Sequence, residues 1–267
     1  MSKASNDSSA RSVNGGDRPL SARSVIASTL LGMPSRQLDT ATLVRSGELF
    51  GIGQGATRVA LSRMRRAGEI EAEGDGYRLA GHLVHRQARQ SVSRRGVTAR
   101  WNGSWLLHVV STDPRPSDQR VELRRAMKAG RRAELREGVW LRPDNLGPEA
   151  FDPGLTAIVD RQCRAFAGRP DQPAALASQL WDLAGWSGRT VLLIDRLDAG
   201  AQRLDRHGTR ALADTFVLSA TVLRHMQADP LLPGPLLPSG WPGRALRRSY
   251  ERFDKAFTCV WTTWYRS

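Results

Sequence analysis

The chain has 267 residues, with 40 Lys and Arg against 26 Asp and Glu, a formal net charge of +14 and a pI of about 11.2. Its 40% hydrophobic content and eight tryptophans exclude a disordered chain, and no apolar run reaches the roughly 18 residues that a membrane-spanning helix needs. The basic excess points to a polyanionic partner, with nucleic acid as the first candidate.

The compartment is predicted from the cysteines and the N-terminus. Cys163 and Cys259 are too few for a disulfide framework, so a reducing environment is expected. No Cys/His cluster has the spacing of a zinc site, and no charged start followed by an apolar stretch marks a secretory signal. These features predict a cytoplasmic protein, associated with the nucleoid if DNA is its partner.

The position of the charge is more informative than its total, because a GC-rich genome would also enrich arginine. Residues 1–100 carry a net charge of +8, and the longer remainder carries +6. Two windows, Gln54–Arg66 and Val84–Arg100, contain arginines and no acid. A solvated helix normally mixes both signs, so these windows favour phosphate contacts.

The N-terminal quarter contains a tail and two helices. Residues 1–20 are rich in Ser, Gly, Asn and Asp without apolar periodicity, which predicts a disordered tail. From Ser21 to about Leu31, apolar residues recur at helical spacing, and Pro34 follows the end of this helix. Asp39 or Thr40 can cap a second helix that ends near Phe50.

A third helix and a hairpin come next. After the turn at Gly51–Gly53, helical periodicity runs from about Gly55 to Arg66 and stops at Gly68. Two short extended runs then flank the turn Gly74–Gly76, which is typical of a β-hairpin. The order of three helices and a hairpin predicts a winged helix-turn-helix domain over residues 21–82; a generic small α+β domain is the alternative.

A helical wheel divides the third helix into two faces. Thr57, Ala60, Leu61 and Met64 form an apolar stripe suited to packing on the first two helices. The N-terminal part of a recognition helix enters the major groove, where Gln can bond adenine and Arg can bond guanine. Later arginines suit phosphates, although cations also favour helix C-termini. The predicted DNA-binding set is Gln54, Thr57, Arg58, Ser62, Arg63, Arg65, Arg66 and Arg78.

The rest of the chain divides into three predicted parts. Residues 83–100 form a basic connecting helix or linker. Within residues 101–172, a strand at Trp105–Val110, a helix at Ser117–Ala129, a strand at Gly138–Pro143 and a third strand within residues 155–166 predict the start of a ferredoxin-like α+β domain. Residues 173–267 are mainly helical, with Leu176–Leu183 as one helix. The fold class is therefore α+β.

Short motifs in this order resemble PaaX-type transcription repressors. A W-x-G-x-W run, a G-V-W-x-R-P strand, a W-D-L helix and an L-P-x-x-W-P-G loop follow the opening helix and the third helix. These motifs lie at Val25–Gly32, Gly51–Ile52, Thr57–Met64, Trp101–Trp105, Glu137–Pro143, Leu180–Leu183 and Leu231–Gly243.

The resemblance implies a bacterial repressor of a catabolic operon that binds double-stranded operator DNA, usually as a homodimer. It also implies a Cas2-like central domain, a helical C-terminal domain, and release from DNA by an aryl-CoA (acyl-CoA) effector such as phenylacetyl-CoA. This chain departs from the family at Gly53–Ala56, where the start of the third helix is small and flexible, so its operator can differ.

The sequence contains few features that would indicate an enzyme. No G-x-S-x-G, P-loop or H-E-x-x-H motif occurs, the five histidines are scattered, and no cofactor is expected. The Cas2-like core raises the alternative of a nucleic-acid-binding protein or metal-dependent nuclease. That chemistry needs carboxylates to hold the ion, and Trp105–Val110 contains none. We therefore expect a regulator and not an enzyme.

Overall fold

The computed structural model describes residues 20–32, 37–96, 98–111 and 116–266. The tail predicted for residues 1–20 lies outside this range except for Leu20, and so does Pro34. None of the helices within these residues is long and apolar enough to cross a bilayer. The molecule is of the mixed α+β class, with two small antiparallel sheets and a predominantly helical C-terminal part.

An N-terminal head contains the predicted helices and hairpin. Its elements are α1 (Ala22–Gly32), β1 (Gln37–Asp39), α2 (Thr40–Glu48), α3 (Gln54–Arg66), β2 (Ile70–Glu73) and β3 (Gly76–Leu79). The strands form a sheet in the order β1-β3-β2. The helices and the hairpin agree with the sequence prediction, whereas β1 is new, because three residues are too few to show periodicity.

The core of the head is formed by the apolar faces of its three helices. Ile26 and Leu30 of α1 pack against Leu43 of α2 and Leu61 of α3, and all four are at most 2% exposed. Asp39 caps α2, because its Oδ1 accepts a hydrogen bond of 2.7 Å from the backbone N–H of Thr42. The apolar spacing read from the sequence therefore sets the packing of the head.

The connection after the head is a helix, α4 (Gly81–Arg95). It ends at Gly96, whose φ of +60° belongs to the left-handed region that glycine adopts without strain. Leu83 at its start is part of the core of the head, and Val92 near its end packs with Ala150 and Leu231. This helix therefore joins the head to the rest of the molecule through buried contacts.

The middle of the chain folds into a four-stranded antiparallel sheet. Its elements are β4 (Trp105–Val110), α5 (Ser117–Ala129), β5 (Ala133–Arg136), β6 (Val139–Pro143), α6 (Pro153–Gln162) and β7 (Cys163–Gly168). The strand order is β5-β6-β4-β7, with His108 opposite Trp140 in the central pair. The predictions of β4 and α5 are confirmed. Asp113, Pro114 and Arg115 of the turn between them lie outside the described residues.

The strand predicted within residues 155–166 is wrong for most of its length. Asp152 caps α6 by accepting hydrogen bonds from the N–H groups of Gly154 and Leu155, and Pro153 occupies the first turn. Leu155, Ile158 and Val159 have helical spacing and pack on α5. The strand begins only at Cys163.

The C-terminal part is built on four helices, α7 (Pro173–Leu180), α8 (Leu183–His207), α9 (Leu212–Gln227) and α10 (Gly243–Arg266). The single helix predicted across Leu176–Leu183 is wrong, because Asp182 accepts a hydrogen bond from the Gly185 N–H and starts α8 as a separate helix. Phe253, Phe257 and Trp261 follow one another along the buried face of α10 with neighbouring ring centroids 5.6–6.1 Å apart.

A buried ionic cluster links these parts; we call Asp229, Arg247, Arg131 and Ser93 the Asp229 cluster. Asp229, in the loop after α9, is 2% exposed and lies 2.8 Å from Arg247 Nη2 of α10. Arg247 Nε donates to the Ser93 carbonyl of α4 at 2.9 Å. Arg131, after α5, donates to Ser93 Oγ at 2.7 Å and to the Asp229 carbonyl. Burial lowers the pKa of Arg131 to about 10, so it stays charged at neutral pH.

The Asp229→Asn variant tests the contribution of this cluster to stability. Removal of the carboxylate leaves Arg247 without its buried counter-charge, so we expect the free energy of unfolding to fall by about 3–5 kcal/mol. Urea unfolding followed by circular dichroism measures this loss. The control is Glu251→Gln, which breaks an exposed pair with Lys255 at 3.7 Å and is expected to leave the transition unchanged. Equal unfolding midpoints for the two variants would contradict the account.

Candidate nucleic-acid interface

One face of α3 is fixed by packing. Thr57, Leu61 and Met64 are at most 2% exposed and face α1 and α2. The structure corrects the inclusion of Thr57 among the DNA-binding residues, because its side chain is fully buried and its hydroxyl donates to the Gly53 carbonyl at 3.3 Å. Thr57 therefore packs α3 against the other helices of the head.

The turn between α2 and α3 depends on two glycines. Gly51 has a φ of +70°, and the Ile52 N–H donates to the Gly47 carbonyl at 3.0 Å. A Cβ on Gly47 would overlap Thr57 Oγ1, so the absence of a side chain lets α2 approach α3 closely. These backbone requirements fix the angle at which α3 leaves the turn.

The opposite face of α3 is exposed and cationic. Gln54, Arg58, Ser62, Arg63, Arg65 and Arg66 all lie on it or at its margins, and all are exposed. The ion pairs found among the described residues involve none of these four arginines. Gln54 Nε2 donates to Glu48 Oε1 at 2.8 Å, which orients the amide at the N-terminal end of the helix. This surface presents uncompensated positive charge next to a polar side chain that can contact a base edge.

The hairpin has a different charge balance. Arg78 on β3 lies 2.8 Å from Glu71 and 3.5 Å from Glu73 of β2, and Asp75 adds a third acid at the turn. The hairpin is therefore net negative, and Arg78 carries less free charge than the arginines of α3. The hairpin therefore offers less unpaired positive charge at its surface than α3 does.

Two arginines of the second acid-free window, Val84–Arg100, form ion pairs with acids from other helices. Arg89 forms an ion pair of 2.8 Å with Asp152 at the start of α6, and Arg94 forms one of 2.5 Å with Asp254 of α10. The expectation that this window contacts phosphate is wrong for these two residues. Their acids follow more than 60 positions later, beyond any window of local sequence.

Further contacts hold α2 against α10, and no local sequence pattern indicates them. The Arg45 guanidinium lies 4.9 Å from the Trp264 ring centroid, and its Nη2 donates to the Trp264 carbonyl at 2.9 Å. Tyr265 donates its hydroxyl hydrogen to Asp39 Oδ2 at 2.9 Å. Burial alone would raise the pKa of Asp39, but hydrogen bonds from Thr42 and Tyr265 outweigh it and lower the pKa below its usual value.

An ion pair also braces the first helix of the head. Arg23 of α1 pairs with Glu69, which follows α3 and is 8% exposed. The hydrogen bond from Arg23 lowers the pKa of Glu69 below its usual value. The pair ties the start of α1 to the segment that follows α3, while the outer face of α3 stays uncovered.

Comparison with known proteins agrees with this architecture. The sequence profile described as PaaX-like protein matches residues 21–83, which span the head. A solved structure titled "Uncharacterized protein Rv0674 from Mycobacterium tuberculosis" is 37% identical, with a TM-score of 0.67, and the match covers 91% of this chain and 98% of that one. The chain belongs to the PaaX-like family. No curated protein sequence matches it significantly.

The exposed face of α3 lies within the part of the chain that matches the PaaX-like family. Proteins of this family are transcription regulators that bind DNA, not enzymes. The profile match covers all the head elements and ends just inside α4. The cationic helix therefore lies within the segment that defines the family.

Alanine substitutions at Gly47 and Gly55 test the close packing of α2 against α3, because only Gly47 lies at that contact. We expect Gly47→Ala to lower the free energy of unfolding by about 1–3 kcal/mol, because its Cβ overlaps Thr57. Gly55→Ala is the matched control, since its Cβ meets no atom within 4 Å, and it is expected to raise stability by about 0.4–1 kcal/mol. Thermal unfolding measures both. No destabilisation by Gly47→Ala, or the same loss of stability in both variants, would contradict the close approach of α2 and α3 at Gly47.

Proposed function

We propose that this PaaX-like protein is a sequence-specific, DNA-binding transcription repressor whose head is a winged helix-turn-helix domain. The observation that carries the proposal is the exposed, acid-free outer face of α3, with four arginines that have no acidic partner among the described residues. The element order of the head supports the winged-helix assignment, because three helices are followed by a two-stranded hairpin.

The residues of α3 divide between two roles. Gln54 and Arg58, in its first turns, contact base edges in the major groove, where Arg recognises guanine and Gln recognises adenine. Ser62 contacts a base or a phosphate. Arg63, Arg65 and Arg66, towards the C-terminal end, neutralise phosphates and position the helix, and Arg78 makes a weaker contact beside the hairpin.

The remaining parts carry the architecture of the regulator. We assign residues 83–100 as the connection and 101–172 as a ferredoxin-like, Cas2-like domain, which the order β4-α5-β5-β6-α6-β7 and the antiparallel sheet support. Residues 173–267 form the helical C-terminal domain. Two copies bind an inverted repeat as a homodimer, with half-sites separated by about 10 base pairs or a multiple of it.

The regulated pathway follows from the family resemblance. The protein represses a catabolic operon in the cytoplasm, at the nucleoid, and an aryl-CoA thioester such as phenylacetyl-CoA releases it from the operator. The family match over residues 21–83 supports the regulatory role. The motifs from Trp101 to Gly243 support the extension to the effector.

Footprinting and one variant test the proposal. The full chain is expected to protect an inverted repeat upstream of its own gene at physiological salt. Arg58→Ala should weaken binding by about 1–3 kcal/mol and relax specificity at one position in each half-site, because a base contact is lost. Arg66→Ala should weaken all sequences alike and reduce the salt dependence.

The matched control for these variants is Arg196→Ala, which removes an exposed arginine of α8 and is expected to leave affinity unchanged. No protected inverted repeat would contradict the proposal. An Arg58→Ala variant that binds like Arg196→Ala would remove α3 from the interface.

A further inference from the structure

The outer face of α3 carries one apolar side chain among its arginines. Within α3, which the structure describes throughout, Val59 is the only exposed side chain that is apolar and larger than alanine, and it is 50% exposed. Val59 lies on one line along the helix with Gly55, Ser62 and Arg66, opposite the buried Leu61. Val59 is therefore at the centre of the surface that the packing of the head leaves open.

An open groove runs beside Val59, between α3 and the start of α1. Its volume is about 440 Å³, and Ser21, Ala22 and Arg23 line the side that belongs to α1. The apolar lining residues of α3 are Ala56, Val59, Ala60 and Met64. Val59 is thus continuous with an apolar strip, unlike the scattered single hydrophobic residues that are normal on a protein surface.

The charges of this groove favour an anionic partner. Glu69, which lines it, is already paired with Arg23. Arg63, which also lines it, takes part in none of the ion pairs found among the described residues. A matching partner therefore combines an apolar group with negative charge. The major groove of DNA offers both, because the C5-methyl group of thymine lies on the base edge and phosphates border the groove.

The conformation of Val59 suits a contact with a base. A helical side chain leans towards the N-terminus of its helix, so the isopropyl group of Val59 lies over the turn at Gly55. A Cβ built on Gly55 meets no atom within 4 Å, so the missing side chain leaves the isopropyl group open from that side. Valine in a helix keeps largely one rotamer, which orders its two methyl groups before any partner binds. The isopropyl group is thereby directed to the end of α3 that enters the major groove in a helix-turn-helix protein.

We propose that Val59 is a base-reading residue that recognises the C5-methyl group of one thymine in each half-site of the operator. The inference rests on the proposed function and adds an apolar contact to the hydrogen bonds assigned to Gln54 and Arg58. Contact between the isopropyl group and the thymine methyl group removes both from water, which stabilises the complex. Cytosine has no methyl group at C5, so Val59 favours thymine over cytosine at this position.

Operators that contain deoxyuridine test this contact, because deoxyuridine pairs as thymidine does and lacks only the methyl group. Fluorescence anisotropy at physiological salt measures binding of the full chain to the footprinted operator and to duplexes with one thymine position replaced in both half-sites. We expect one position at which the replacement weakens binding of the parent by about tenfold, since each buried methyl group accounts for about three- to fourfold. Val59→Ala should weaken binding to the thymine operator and lose most of its sensitivity to that replacement, which a double-mutant cycle measures.

The matched control is Val121→Ala, which shortens a valine of α5 that is 69% exposed. It should keep both the affinity and the methyl sensitivity of the parent. Val59→Ala is expected to fold, because the side chain is half-exposed and alanine has a higher helix propensity than valine. Circular dichroism checks that both variants keep the helix content of the parent.

The outcomes separate this inference from the proposed function. The inference is overturned if no thymine replacement weakens binding, or if the same replacement weakens the parent and Val59→Ala alike. In both cases a chain that still protects its operator keeps the proposed DNA-binding function, and the groove beside Val59 serves another partner. A chain that protects no operator contradicts the proposed function, and the inference falls with it.

Discussion

The buried carboxylate of Asp229 is the constraint on which the arrangement of the molecule depends. A carboxylate that is 2% exposed needs a counter-charge and hydrogen-bond donors, and Arg247 supplies both. Arg247 and Arg131 then extend the same bonding to Ser93 of α4. The connecting helix, the turn after α5 and the last helix, which are distant in sequence, thereby meet around this one residue in the loop after α9.

This arrangement explains how the surface of α3 stays available. The head is anchored through α2 and α4, by Arg45 and Asp39 on one side and by Arg94 on the other. Phe50 adds an aromatic contact with Phe216 at 5.0 Å. None of these contacts uses the outer face of α3, so its charge remains unpaired by the described residues. The arginine excess of the chain thus has two uses: it braces the structure in α4, and we propose that it binds DNA in α3.

Local periodicity predicted the elements whose own residues determine them. The wheel of α3 found Leu61 and Met64 as buried positions, and the bounds of β4 and α5 followed from apolar spacing and turns. The sequence prediction is wrong where residues distant in the chain, or a single capping side chain, determine the local structure. The acid-free window around Arg89 and Arg94 predicts phosphate contacts, but in the folded chain these arginines form ion pairs with Asp152 and Asp254. Asp152 and Asp182 cap helices without interrupting the apolar pattern, so periodicity alone predicts a strand in place of α6 and one helix in place of α7 and α8.

The central claim is that the exposed arginine face of α3 binds DNA. The most direct measurement is the salt dependence of operator affinity in the parent chain and in a variant with Arg63, Arg65 and Arg66 all changed to Ala. Each phosphate contact contributes about 0.9 to the slope of log affinity against log salt concentration, so we expect the slope to fall by about 3 in the variant. Arg196→Ala, on α8, should keep the slope of the parent. An unchanged slope in the α3 variant would contradict the claim.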